Sequence, residues 1–245
     1  MTARADLTIL PLSAGQADIW FDEKFSAGSI AYNTAGYLDI RGPLDTGLFV
    51  IAVQQLIDEA ECARVRFVED AGEPRQVIEE LPAVPVLELD RRSAADPEAD
   101  AVAWIDADLR RPFRLTDFPL FRVALIQVAD ERWFLYLCMH HLLCDGFSQV
   151  VYWRRLTEIY TALLAGDDPT IGELPPLRQL LDAEAAYTSS PHAARDQEYW
   201  QRHLADQPAL VSLSDREFAP AQEFHRRRTT LSPDTTARLR AVAGA

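Results

Sequence analysis

Met139-His140-His141-Leu142-Leu143-Cys144-Asp145-Gly146-Phe147-Ser148 is where the chain changes character. Before it runs Trp133-Phe134-Leu135-Tyr136-Leu137-Cys138, almost unbroken in its apolarity. After it, residues 149–164 place apolar side chains at helical spacing. The stretch therefore reads as a buried strand, a tight polar turn and a helix. Two imidazoles and a carboxylate at the end of a buried strand cost free energy unless they find partners. Strand ends in α/β folds are also where active sites collect. An α/β fold with its chemistry at this turn is expected.

The flanking sequence supports that class. Residues 120–129 form a second strong strand, joined to residues 132–139 through Asp130-Glu131. Further strands are expected over residues 7–10 (ended by Pro11), 34–41, 62–68 and 75–78, and an edge strand over 84–89, where the prolines disfavour a central place. Ser13, Asp45 and Asp96-Pro97 are placed to start helices. A proline-marked stretch, from Asp167-Asp168-Pro169 to Pro175-Pro176, leads to helices over 177–187 and 191–204. A basic, strand-like segment at 224–231 precedes a helix that starts at Ser232 and Asp234 and reaches the end of the chain.

With 245 residues, 48% of them hydrophobic and 25% charged, the chain can bury a sizeable core. Its net charge of -14 argues against nucleic acid or an anionic membrane as partner, since both require clustered Lys and Arg. No stretch reaches the ~18 apolar residues of a membrane span, and no long apolar segment follows the first residues, so a cytoplasmic protein is expected. Cys62, Cys138 and Cys144 form no CxxC pair and read as free thiols in a reducing compartment.

Successive strand residues point to opposite faces. Of His140 and His141, one should be packed and hydrogen-bonded and the other free to relay a proton near neutral pH. The Asp145 carboxylate can accept bonds from the turn backbone, cap the following helix or pair with a cation. Gly146 allows close backbone approach or a positive φ. No G-x-S-x-G elbow is present and Cys144 has no activating base beside it, which favours direct transfer between two substrates. Diverging histidines without a second ligand cluster argue against a metal.

His140-His141-Leu142-Leu143-Cys144-Asp145-Gly146 matches HHxxxDG, the signature of the condensation domains of nonribosomal peptide synthetases. Leu12-Ser13-Ala14-Gly15-Gln16-Ala17-Asp18-Ile19-Trp20 resembles that family's SxAQxRLW motif, with Gly15 and Asp18 as departures. Gly42-Pro43-Leu44-Asp45 resembles its G-x-L-D, and Ala63-Arg64-Val65-Arg66-Phe67 falls where the family has LRTxF, with Glu59-Ala60 replacing the preceding Arg-His. Tyr187 and Glu198-Tyr199-Trp200 resemble its fourth motif region. Phe147 stands where the family often has Trp, and the local wording is nearest to the serine module of enterobactin-type siderophore synthetases.

The resemblance implies an α/β (α+β sandwich) subdomain of the chloramphenicol-acetyltransferase-like kind, with a mixed central sheet flanked by helices. Residues 1–168 would be the N-terminal acyltransferase-like condensation subdomain, 169–222 a linker with helices leading to the second subdomain, and 223–245 the start of the C-terminal one. By that resemblance this would be the first half of a condensation domain; the family's DFGWG motif is absent, and the fragment alone is expected to be inactive and to self-associate.

The implied reaction is amide formation between a carrier-protein-bound acyl or peptidyl thioester and a carrier-protein-bound aminoacyl acceptor. His141 would be catalytic, as base or by orienting the amine and stabilising the tetrahedral intermediate. His140 would be its packed partner, Asp145 would pair with Arg64 beneath the site, and Gly146 would leave room for a pantetheine arm. Ser13, Gln16, Phe147 and Ser148 are candidates for the tunnel wall. The domain would hold no cofactor, since its substrates arrive as phosphopantetheine thioesters. Donor and acceptor carrier proteins and adjoining adenylation domains would be its partners. The alternatives are a coenzyme-A-dependent acyltransferase, an epimerisation-type relative, or a non-catalytic carrier-protein recruitment domain.

Overall fold

The structure, a computed structural model, describes residues 8–25, 28–169, 174–207 and 229–244. Its elements in chain order are β1 (Thr8–Pro11), α1 (Ala14–Phe25), β2 (Asn33–Arg41), α2 (Thr46–Glu59), a 3-10 turn (Glu61–Arg64), β3 (Val65–Asp70), β4 (Glu73–Ile78) and β5 (Val86–Asp90), followed by α3 (Pro97–Leu109), β6 (Phe121–Ala129), β7 (Arg132–His140), α4 (Gly146–Ala165), α5 (Leu177–Thr188), α6 (Pro191–His203) and α7 (Pro233–Ala243). The expected strand-like segment at 224–231 falls mostly on residues outside the described ones, and residues 229–231 belong to no element.

The helices begin where the sequence places acceptors for their first amides. Asp45 Oδ1 accepts from Leu48 N at 2.9 Å and Asp96 Oδ1 from Ala99 N at 3.0 Å. Ser13 and Gln16 cap each other: Gln16 N donates to Ser13 Oγ, and Ser13 N to Gln16 Oε1. The β3–β4 hairpin turns through Ala71 and Gly72, both at positive φ (51° and 87°), the handedness that matches strand twist.

The strands form two sheets. One is antiparallel, in the order β1-β4-β3; the other is mixed, in the order β2-β7-β6-β5, with β5 parallel to β6 on its edge. The mixed α/β architecture flanked by helices is the expected class, and its mixed sheet is the four-stranded one. The expected strand at 62–68 begins only at Val65. The chain must first turn back under α2, and Arg64 fixes that turn by donating to the carbonyls of Ile57 and Asp58, which lack helical partners at the end of α2.

β7 is buried along nearly its whole length. α2 and α4 pack over one face, where Leu135, Leu137 and Met139 meet Val53, Leu56 and Leu156. The other face carries α3: Trp104 meets the Tyr136 ring edge-on, and Asp108 accepts from Tyr136 Oη at 2.9 Å. A strand covered on both sides needs apolar residues at every position, so this stretch reads as a continuous apolar run rather than an alternating one.

α2 and α4 are tied by a buried ion pair. Arg155 reaches both carboxylate oxygens of Glu59 at 2.7 Å, with the side chains 3% and 9% exposed. Removing one member of such a pair strands the other, at a cost of about 3–5 kcal/mol. Arg155→Ala should show that loss in urea unfolding. Arg92→Ala, whose partners Asp90 and Asp130 are exposed and screened by solvent, should lose far less.

Candidate active site

β7 pairs with β2 as far as His140 opposite Asn33, and the chain then leaves the sheet. The alternation of the strand sends the two histidines apart. His140 joins the α3 side, 2% exposed, between the rings of Tyr32 and Phe113. His141, half-buried, faces a cavity of about 720 Å³. Its backbone N donates to Tyr32 O at 2.9 Å, and its imidazole has no hydrogen-bond partner among the described residues.

Ser13, Gln16 and Ile19 line the cavity from the α1 side, and Phe147, Ser148 and Tyr152 from α4. The turn itself, from His141 to Asp145, forms its floor. Leu177 and Leu180 close it from α5, which is held in place by Leu177 N donating to Glu61 Oε2 and by the Glu184 carboxylate at Ala14 N. All four residues expected to line a tunnel therefore stand around His141.

Gln16 does more than line the wall. Its amide exchanges hydrogen bonds with the fully buried Gln76 and donates to Leu142 O at 3.0 Å, tying α1 to the turn. Tyr32, Gln76 and the α5 leucines were not recognisable as site residues, because tertiary packing alone brings them in. Glu23 carried a signal: Gln16, Trp20 and Glu23 share one helical face, and an acid on an apolar face needs a partner.

One expectation is corrected. Arg64 does not pair with Asp145; its guanidinium is taken up by the carbonyls of Ile57, Asp58 and Glu79. Asp145 instead caps α4. It accepts from Ser148 N at 2.7 Å and Ser148 Oγ at 2.6 Å, bonds that hold its carboxyl below the usual aspartate range. Gly146 does not use a positive φ; it is the first residue of α4, and a Cβ there would meet nothing within 4 Å.

The remaining groups are held neutral or occupied. Burial pushes the Cys144 thiol up to about 12, so it is no thiolate nucleophile at neutral pH. Tyr152 Oη and Cys62 Sγ engage each other at 2.8 Å. His140 Nδ1 accepts from Leu142 N at 3.2 Å, which places the ring proton on Nε2, facing Glu23 Oε1 at 3.5 Å. Burial, reinforced by the neighbouring His141, pulls the His140 pKa down to about 4. Burial, with Asp22 adding to it, raises that of Glu23. Among the described residues, no three His, Cys, Asp or Glu side chains converge as a metal site.

The sequence matches the condensation domain model over residues 7–245. Isonitrile lipopeptide synthase of Streptomyces coeruleorubidus is 36% identical over 234 residues, which is 95% of this chain and 16% of that protein. Enterobactin synthase component F of Escherichia coli O157:H7 is 36% identical over 211 residues, 84% of this chain and 16% of that protein. A mutant starter condensation domain of rhizomide synthetase, solved in complex with C8-CoA and Leu-SNAC, superposes with a TM-score of 0.81 at 35% identity, covering 85% of this chain and 48% of that one. The first condensation domain of the CDA synthetase gives 0.76 at 28% identity, covering 85% and 53%. The chain thus spans about half the length of these solved domains and a small part of the synthases.

The buried His140 makes stability depend on pH. Its folded pKa lies below the ordinary imidazole value of 6.5, so the unfolded chain binds the proton first. Stability is complete above 6.5 and is lost as pH falls toward about 4, by about 3 kcal/mol. Glu23 acts with the opposite sign, and Asp145 loses its capping contribution at still lower pH. The readout is therefore a difference: between pH 7 and pH 4, urea unfolding of the parent should lose about 3 kcal/mol more than that of His140→Asn. Equal losses would mean that His140 is not held neutral.

Proposed function

The chain belongs to the condensation domain family, and on that premise we propose that it supplies the histidine-bearing half of an amide-forming site. Residues 1–168 make up the N-terminal acyltransferase-like subdomain in this reading, 169–222 the connection, and 223–245 the start of the second subdomain. The donor is an acyl or peptidyl thioester, and the acceptor an aminoacyl group on a carrier protein. Both thiol arms are of the phosphopantetheine type. Carrier proteins and neighbouring adenylation domains are the partners, and the cytoplasm is the setting. Among the described residues no helix is long and apolar enough to cross a membrane.

The observation that carries this reading is the His141 ring, without a hydrogen-bond partner among the described residues and facing the cavity, beside a Gly146 that opens onto free space. The acceptor amine attacks the thioester carbonyl, with His141 orienting it and taking up its proton. The C–N bond forms, the tetrahedral intermediate collapses, the C–S bond breaks, and the proton leaves with the thiol. The likeness to a starter domain holding C8-CoA favours a second donor class, an acyl chain delivered directly as a coenzyme A thioester.

His141→Ala in the full-length protein should lower amide formation by about 10²-fold or more, the usual contribution of a positioned acid–base group, while carrier-protein binding is unchanged. Undiminished turnover would overturn the assignment. Offering the same acyl group on a carrier protein and on coenzyme A to the parent separates the two donor classes.

A further inference from the structure

α1 contacts Leu142 and His140 directly and reaches His141, between them, through Tyr32. Gln16 Nε2 donates to Leu142 O at 3.0 Å. Asp22 accepts from Tyr32 Oη at 2.9 Å, and the Tyr32 carbonyl in turn accepts from His141 N at 2.9 Å. The third contact is different in kind, because both partners are buried: Glu23 is 5% exposed and His140 2%, and their side chains face each other at 3.5 Å. His140 is the one hydrogen-bond partner of the Glu23 side chain among the described residues.

A lone buried carboxyl is costly, and an apolar side chain of the same size would fill the space without that cost. What Glu23 adds is direction. The rings of Tyr32 and Phe113 flank His140 but offer its nitrogens nothing to tell them apart. Leu142 N–H must find an acceptor on Nδ1, and it finds one only while the proton sits on Nε2. An acceptor opposite Nε2 holds that tautomer. With the proton on Nδ1, Leu142 N–H would be left unpaired in the interior and the turn carrying His141 would be released.

We propose that Glu23 is a positioning residue that fixes the orientation of His141 by holding His140 in its Nε2–H tautomer. The kinetic part of this rests on the reading of His141 as the group that handles the amine proton.

The test uses the full-length protein. In histidine-labelled parent, nitrogen NMR should show the His140 ring with its proton on Nε2; a proton on Nδ1 would overturn the proposal, whatever the variants do. Glu23→Met should lower kcat roughly tenfold with KM unchanged, as expected for a displaced catalytic group. Glu23→Gln, which keeps an acceptor facing Nε2, should restore it. His140→Asn still accepts from Leu142 N but no longer reaches Glu23, so Glu23→Met in that background should cause no further loss. Multiplicative losses, or Glu23→Gln as damaged as Glu23→Met, would overturn the proposal. Should the substitutions prevent folding, the tautomer of the parent decides alone. A parent that makes no amide product at all contradicts the proposed function, and since the NMR readout does not depend on turnover, the two failures are distinguishable.

Discussion

A strand covered on both faces must send its last side chains into two different environments, and most of the architecture follows from that constraint on β7. Leu135, Leu137 and Met139 sit under α2 and α4, while Tyr136 meets α3. When the strand ends in two histidines, the first belongs to the interior and the second to the opening. No special backbone geometry is needed to separate them; the period of the strand does it. The price of placing an imidazole in the interior is met by neutralising it, and its depressed pKa and the backbone donor on Nδ1 are two aspects of that solution.

α1 makes the turn a defined structure rather than a loose end. It starts on the Ser13–Gln16 capping box, and the same Gln16 that closes the box reaches Leu142. Helix initiation and site geometry therefore share a residue. α4 repeats the arrangement from the other side: Asp145 and Ser148 cap the helix while both border the cavity. The rim of the site is built from helix starts, where side-chain acceptors are required in any case to satisfy the first backbone amides.

Much of this was legible in the sequence because it is local. The caps at Ser13, Asp45 and Asp96, the Asp130-Glu131 hairpin and the edge placement of β5 follow from neighbouring residues and their backbone preferences. The split between His140 and His141 follows from strand period alone. What was not legible depends on partners distant in the chain. Arg64 was expected at Asp145 by resemblance, yet three carbonyls hold it, and the buried ion pair lies instead between Glu59 and Arg155. A guanidinium satisfies carbonyls as readily as a carboxylate, so the residue type does not name its partner. The α5 wall is equally invisible in sequence, since Leu177 and Leu180 read as one face of an amphipathic helix whatever that face covers.

The polar groups around the cavity also limit what chemistry it can host. Ser148 Oγ donates to Asp145 and Asp145 is occupied by that helix start, so neither is poised as a nucleophile. The Cys144 thiol is held protonated by burial, and Tyr152 and Cys62 satisfy each other. An enzyme-bound acyl intermediate would need one of these groups activated, and each is held in a structural role. His141 differs from them: its backbone is anchored and its ring is not. A fixed backbone with an uncommitted imidazole suits a proton passing between two bound substrates.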